Sequence, residues 1–350
     1  MRMTLKNKII EMKAKVLVTG GTGYIGSHTI IDLIESGYDV VCADNGINSD
    51  RSSLIAVKEI TGVSVPYFHV DLCDKNASED IFMQHPDISG VIHFAALKAV
   101  GESVEKPVLY FRNNLESLIN VIDLSIKYNV KSFIFSSSCT VYGDVTQSPV
   151  DESTPLMEAA SPYGRTKQVG EQIIMDCMKN SDTKSILLRY FNPAGAHPSG
   201  LLGESPSNPP QNLVPVITET AIGKRNKMTV FGNDYPTRDG SCIRDYIHVC
   251  DLARAHTLAL QYVFDGKQNI QTEVFNIGIG NGLTVLEIIE AFEKVSGVAL
   301  QYEIGGRRAG DIMAIFSDHT KAKQLLGWEP KYGVDDIMST AWTWEKNRSK

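Results

Sequence analysis

Val16-Leu17-Val18-Thr19-Gly20-Gly21-Thr22-Gly23-Tyr24-Ile25-Gly26 decides the fold of this chain. A β-branched, apolar run enters a cluster of glycines, and an amphipathic segment over 25–35 follows at once. That order is a strand, a tight turn and a helix start. Glycine lets the backbone pass close to a pyrophosphate, whose charge is favoured at a helix N-terminus. The spacing Gly20-x-x-Gly23-x-x-Gly26 departs from the Gly-x-Gly-x-x-Gly dinucleotide fingerprint, and a tight strand–helix packing turn also needs glycines. Asp44 favours the dinucleotide. It ends the next strand about 20 residues on, where a carboxylate accepts ribose hydroxyls and repels a 2′-phosphate, so NAD is expected rather than NADP.

Working outward, residues 15–19, 39–43, 63–70, 90–94, 132–135 and 185–190 are short runs rich in Val, Ile and Phe. Segments with helical spacing, such as 25–35 and 115–127, separate them. Alternation of this kind predicts an α/β fold: a Rossmann-type doubly wound parallel sheet, with a smaller C-terminal α/β substrate-binding domain. From Asn192 the texture changes, and residues 192–211, with five prolines, read as loop. The expected division is an N-terminal extension at 1–14, a nucleotide-binding domain at 15–191 and a mainly substrate-binding part at 192–350. Some segments of that last part are expected to cross back.

The length of 350 residues fits two domains at roughly 150 each. With 43% hydrophobic and 21% charged residues the chain is neither disordered nor fibrous. No apolar run approaches the ~20 residues of a membrane span, so a membrane protein is not expected. A net charge of −7 opposes a nucleic-acid surface. Six cysteines without a Cys-x-x-Cys pair read as reduced thiols in the cytoplasm. Eight histidines form no His-x-His or His-x-x-x-His pair, so no metal site is expected.

Ser161-Pro162-Tyr163-Gly164-Arg165-Thr166-Lys167 opens a helix, with Ser161 as N-cap and Pro162 in the first turn. Tyr163 and Lys167, four apart, share a face. They follow the apolar strand that runs into Ser136-Ser137-Ser138, and open α/β sheets bind ligands at strand C-terminal ends. A tyrosine acting as base near pH 7 needs its pKa lowered by about three units, roughly 4 kcal/mol. One ammonium at ~4 Å in an effective dielectric of ~20 supplies that much, so Lys167 is expected to suffice. Ser138 would hold the reacting oxygen. The plainer alternative is a buried tyrosine, an exposed helix lysine and a serine-rich turn.

Together with residues 20–28, 93–103, 136–143, 161–167 and 231–237, Leu188-Arg189-Tyr190-Phe191-Asn192-Pro193 and Arg244-Asp245-Tyr246-Ile247-His248-Val249 resemble the extended short-chain dehydrogenase/reductase family. Within it the likeness is to the nucleotide-sugar 4-epimerases. The resemblance implies Tyr163 as base, Lys167 as its partner and Ser138 as sugar-hydroxyl ligand, these three also touching NAD. It implies further NAD contacts from Gly20, Gly23, Tyr24, Ile25, Asp44, Asn45, Asn48, Ser49, Asp71, Leu72, Phe94, Ala95, Lys98, Asn114 and Phe191. UDP-sugar contacts would come from Asn192, Asn212, Leu213, Thr229, Val230, Phe231, Arg244, Arg308 and Asp311, with Ile315 facing the sugar.

The implied reaction interconverts UDP-glucose and UDP-galactose through a 4-keto sugar, with NAD recycled. UDP-pentoses, UDP-N-acetylhexosamines and a non-catalytic NAD-binding protein of the same fold remain open. Dehydratases of the family carry an Asp-Glu pair directly after the threonine. Thr140 is instead followed by Val141-Tyr142, so elimination is not expected. A homodimer through helices at about 104–128 and 162–180 is also implied.

Overall fold

β1 (Lys13–Thr19), β2 (Tyr38–Asp44), β3 (Tyr67–His69), β4 (Ile88–His93), β5 (Ser132–Ser136) and β6 (Lys184–Tyr190) take up the apolar runs of the first half. The helices between and after them are α1 (Tyr24–Glu35), α2 (Ser52–Thr61), α3 (Lys75–Gln84), α4 (Val100–Glu105), α5 (Pro107–Lys127) and α6 (Pro162–Met178). Beyond them lie β7 (Asn192–Ala194), α7 (Leu213–Ala221), β8 (Met228–Phe231), β9 (Ile243–Arg244), β10 (Tyr246–His248), α8 (Val249–Phe264) and β11 (Thr272–Ile277). The chain ends with β12 (Leu283–Thr284), α9 (Val285–Ser296), β13 (Tyr302–Gly305), β14 (Ala314–Ile315), α10 (Thr320–Leu326) and α11 (Val334–Arg348). This computed structural model describes residues 13–206, 209–308 and 311–350. Most of the extension expected at 1–14 therefore lies outside the described residues, and β1 starts at Lys13.

Seven strands form one parallel sheet in the order β11-β6-β5-β4-β1-β2-β3. The chain steps outward from β1 to β3, then returns to lay β4 beside β1. That reversal opens a crevice at the C-terminal ends of β1 and β4. Alternate residues of β1 enter different cores. Val16 and Val18 pack with Ile30 and Leu33 of α1, whereas Leu17 packs with Ile81 and Phe82 of α3 and Leu118 of α5. With both faces covered, the strand needs no polar face, which is why it reads as a continuous apolar run.

Three expectations are corrected. The run 63–70 yields only Tyr67–His69 as strand, because Pro66 has no N–H for the ladder. The helix expected at 104–128 is two helices broken at Lys106, since the residue before a proline is pushed out of the helical region. The 192–211 stretch contains β7, which pairs in parallel with β10 and buries Ala194. Later segments lie against the first half: β11 completes the large sheet beside β6, and α8 packs on α1. A third core gathers Ile217, Phe292 and Met338 from α7, α9 and α11.

Burial also fixes the acid response. His28 and His256 are enclosed, and loss of hydration lowers their pKa to about 3 and about 4. Both stay neutral in the folded state while the unfolded chain takes up protons near 6.5. The unfolded state binds more protons below that value, so stability is expected to fall as pH drops from 6.5 toward 4. Urea midpoints at pH 7 and pH 4.5 measure this, and equal midpoints would contradict it.

Candidate active site

The glycine turn at the end of β1 is closed by backbone contact. Gly20 has φ +67°, and a Cβ there would stand 2.7 Å from the Ala95 nitrogen. A Cβ on Gly26 would stand 2.4 Å from the Gly20 carbonyl oxygen. Gly23 caps α1 without a side-chain hydrogen bond, so the first-turn amides at Tyr24 and Ile25 are free of capping side chains. A pyrophosphate fits this cradle in charge and in the space that only glycine leaves.

Strand ends carry the other expected cofactor residues. Asp44, at the end of β2, is buried; its carboxylate accepts from the Thr22 amide at 3.1 Å and the Gly46 amide at 2.9 Å. The Ser49 and Thr22 hydroxyls pair at 2.8 Å, and Asn45 accepts from the Ile47 amide. Asn48 is exposed on the same loop. Asp71 and Leu72 follow β3, with Asp71 exposed and Leu72 in the core beneath it. Phe94 and Ala95 follow β4. Asn114 reaches from α5 to hold the Leu97 amide at 2.8 Å, and Lys98 pairs with Glu204 at 3.4 Å. Phe191 follows β6 and is buried. The structure brings these groups to one edge of the sheet.

Tyr163 and Lys167 lie on one face of α6, beside the end of β5. Ser161 caps that helix, its hydroxyl accepting from the Gly164 amide at 3.1 Å. The Tyr163 hydroxyl lies beside Ser138, whose own hydroxyl accepts from the Thr140 amide at 3.2 Å. Lys167 is buried, its ammonium nitrogen 5.9 Å from the Tyr163 ring centroid and donating to the Ser136 carbonyl at 2.6 Å. Burial works against the expectation that Lys167 alone would ionise Tyr163. Burial pushes the Tyr163 hydroxyl well above its ordinary value and lowers Lys167 to about 8. The enclosure that aligns the pair also strips both of water, and desolvation outweighs the attraction.

The expected sugar-side residues divide. Arg308 donates to Asp311 at 2.7 Å and Arg244 reaches the same carboxylate oxygen at 3.6 Å. The Arg308 guanidinium lies 5.6 Å from the Phe231 ring centroid, so these four form one contiguous cluster. Asn192 opens β7 with its side-chain oxygen buried and without a partner among the described residues. Asn212 precedes α7 and donates to Glu204 at 2.9 Å, with Leu213 next to it. Thr229 faces Glu303, whereas the Val230 side chain is in the third core and leaves only backbone for a ligand. Ile315 is buried with Phe191, Cys139 and Val141 under the Ser138–Tyr142 turn.

Sequence reasoning missed Ser137, Glu171 and Arg189. Ser137 donates to Glu171 at 2.5 Å, and Arg189 grips the same carboxylate in two bonds of 2.9 and 2.6 Å. The signal was present: Glu171 follows Lys167 by four residues on the face that carries Tyr163.

Residues 17–341 match the family model described as GDP-mannose 4,6 dehydratase. The UDP-glucose 4-epimerase of Bacillus subtilis (strain 168) is 48% identical over 333 residues, covering 95% of this chain and 97% of that protein. The crystal structure of UDP-glucose 4-epimerase from Bifidobacterium longum in complex with NAD+ and UDP superposes with a TM-score of 0.92 at 43% identity. It covers 96% of this chain and 99% of that one. The enzyme from Stenotrophomonas maltophila, with bound NAD and formylated UDP-arabinopyranose, gives 0.93 at 42% identity, covering 96% and 99%.

Proposed function

We propose, from the premise that the chain belongs to the UDP-glucose 4-epimerase family of the extended short-chain dehydrogenases/reductases, that it interconverts UDP-glucose and UDP-galactose. The observation that carries this is Tyr163 one helical turn before buried Lys167, whose ammonium donates to the Ser136 carbonyl two residues before Ser138, at the sheet edge that also bears the glycine cradle. Residues 15–191 hold the cofactor and the base, and 192–350 mainly grip the nucleotide sugar. The family model takes its description from dehydratases, but elimination lacks its acid and base here. Val141 is fully buried, and the Tyr142 hydroxyl is committed to Asn276 and the Asp151 carbonyl.

NAD would be held by the first-turn amides of α1, by Asp44 and by Asn114, and would supply reversible hydride acceptance at the sugar C4. Tyr163 accepts the C4 hydroxyl proton and gives it back. Ser138 orients that oxygen, and Lys167 stabilises the tyrosinate. Arg244 and Arg308, both turned toward Asp311, present fork-shaped donors suited to a diphosphate. Phe231, substantially exposed, offers its ring to a uracil.

Purified protein incubated with UDP-galactose and no added NAD is expected to reach an equilibrium mixture of the two hexoses. NADH released in proportion to product would mark a dehydrogenase and sink the proposal. Parallel incubations with UDP-N-acetylgalactosamine and UDP-xylose give the substrate range. Ile315→Ala is expected to raise the share of N-acetylhexosamine turnover while costing about 2–4 kcal/mol of stability, because it opens space under the Ser138 turn.

The chain forms a homodimer in this proposal. Val104, Val108 and Leu109 on α4 and α5 and Met175 on α6 leave an apolar face exposed, Val108 by 69%. A monomer mass by light scattering at micromolar concentration would refute it. The six cysteines are unpaired, and no helix among the described residues is long and apolar enough to cross a membrane. The unpaired thiols support a cytoplasmic location.

A further inference from the structure

The serine that ends β5 and the two that follow it each have a different task. The Ser136 carbonyl takes the Lys167 ammonium, and its hydroxyl pairs with the Tyr190 hydroxyl. The Ser138 hydroxyl lies beside Tyr163 and accepts from the Thr140 amide at 3.2 Å. Between them, the Ser137 hydroxyl donates to Glu171, a carboxylate only 2% exposed. Glu171 sits one helical turn beyond Lys167 and two beyond Tyr163, so the same helix presents base, cation and anion in register. Arg189, from β6, holds the carboxylate in a bidentate bond and reaches the Tyr142 hydroxyl at 3.2 Å.

We propose that Glu171 is a positioning residue for the reaction: it pins the strand end that carries Ser138 and supplies the negative charge that keeps Lys167 an ammonium ion. The inference rests on the assignment of Tyr163 as base. A buried charge of this kind is weak evidence for stability, since an apolar pair of similar volume often serves as well. Its placement is better explained by its neighbours. Glu171 and His93 act on Lys167, whereas Tyr190, Cys139 and Tyr110 surround Tyr163, and Arg189 holds Glu171. Of these, Glu171 is the carboxylate acting on Lys167, and its charge opposes the desolvation that draws the lysine toward neutrality. His93 is buried, paired with Thr19 at 2.9 Å and held neutral, so it does not compete.

Two variants separate the two tasks. Glu171→Gln keeps the volume and an acceptor for Ser137 but removes the charge. Lys167 should then lose its proton at lower pH, and the alkaline limb of kcat should move down by about one pH unit with KM little changed. The Lys167 ammonium titration, followed by nitrogen NMR, should move in the same direction. Ser137→Ala keeps the charge and removes the contact, so kcat should fall about fivefold with the alkaline limb unmoved. A Glu171→Gln profile that coincides with the parent's, or a Ser137→Ala enzyme with undiminished kcat, overturns the proposal. If Glu171→Gln does not fold, Glu171→Asp, which keeps the charge but draws it back from Ser137, should lower kcat with the alkaline limb unmoved, and an undiminished kcat overturns the proposal. Tyr163→Phe serves as the control: an active Tyr163→Phe enzyme indicts the base assignment, while an inactive one with no effect of Glu171→Gln indicts only this inference.

Discussion

A Tyr163→Phe enzyme is expected to lose about 10³-fold in kcat, close to 4 kcal/mol of barrier, while keeping its NAD. The change removes one oxygen. The phenyl ring still fills its place on α6, and the cofactor cradle at the end of β1 is untouched. Lys167 keeps its bond to the Ser136 carbonyl, so the ammonium does not relocate to act as base. In the parent, burial alone would hold the Tyr163 hydroxyl protonated, and the positive charges of Lys167 and of bound NAD must overcome it. The pH profile of kcat in the parent should therefore show an acidic limb far below the ordinary tyrosine value near 10. Single-turnover formation of NADH at C4, measured by absorbance, reads the chemical step directly. Turnover within a few-fold of the parent would remove Tyr163 from the mechanism.

Gly26→Ala is expected to leave the protein without NAD. The added carbon would stand 2.4 Å from the Gly20 carbonyl oxygen and 2.8 Å from the Gly21 Cα, both backbone atoms. No flexible side chain can yield there, so the 20–23 turn must shift by about 1 Å, away from the geometry that meets a pyrophosphate. Affinity for NAD should fall at least about 100-fold, or roughly 3 kcal/mol, with a further 1–3 kcal/mol lost from stability. Nucleotide released on denaturing the purified protein measures the first, and a urea midpoint the second. A full complement of NAD in a Gly26→Ala preparation would show that the turn does not hold the pyrophosphate.

Local features were readable in advance because they need only neighbouring residues. The glycine turn, the capped start of α6 and the four-residue step from Tyr163 to Lys167 all follow from backbone geometry within a few positions. Pro107 gave notice of the break at Lys106 in the same way, yet the apolar periodicity running across it concealed the division. Glu171 was visible as one more polar residue on a helix, and nothing nearby in sequence marked it as buried. Its partners, Ser137 and Arg189, lie 34 and 18 residues away.

From sequence alone follow the parallel α/β class, the glycine turn, and the expectation of NAD beside Asp44 and of a Ser-Tyr-Lys set at the strand ends. These depend on residue type and short spacing, which the chain states outright. Tertiary structure alone decided that β11 closes the sheet beside β6, that Arg244, Arg308, Asp311 and Phe231 form one cluster, and that Glu171 stands behind Lys167. It also decided the balance at Tyr163, where the sequence supplied the nearby cation but not the lost water. Desolvation is a property of everything that packs around a group, and only the folded chain sets that surrounding.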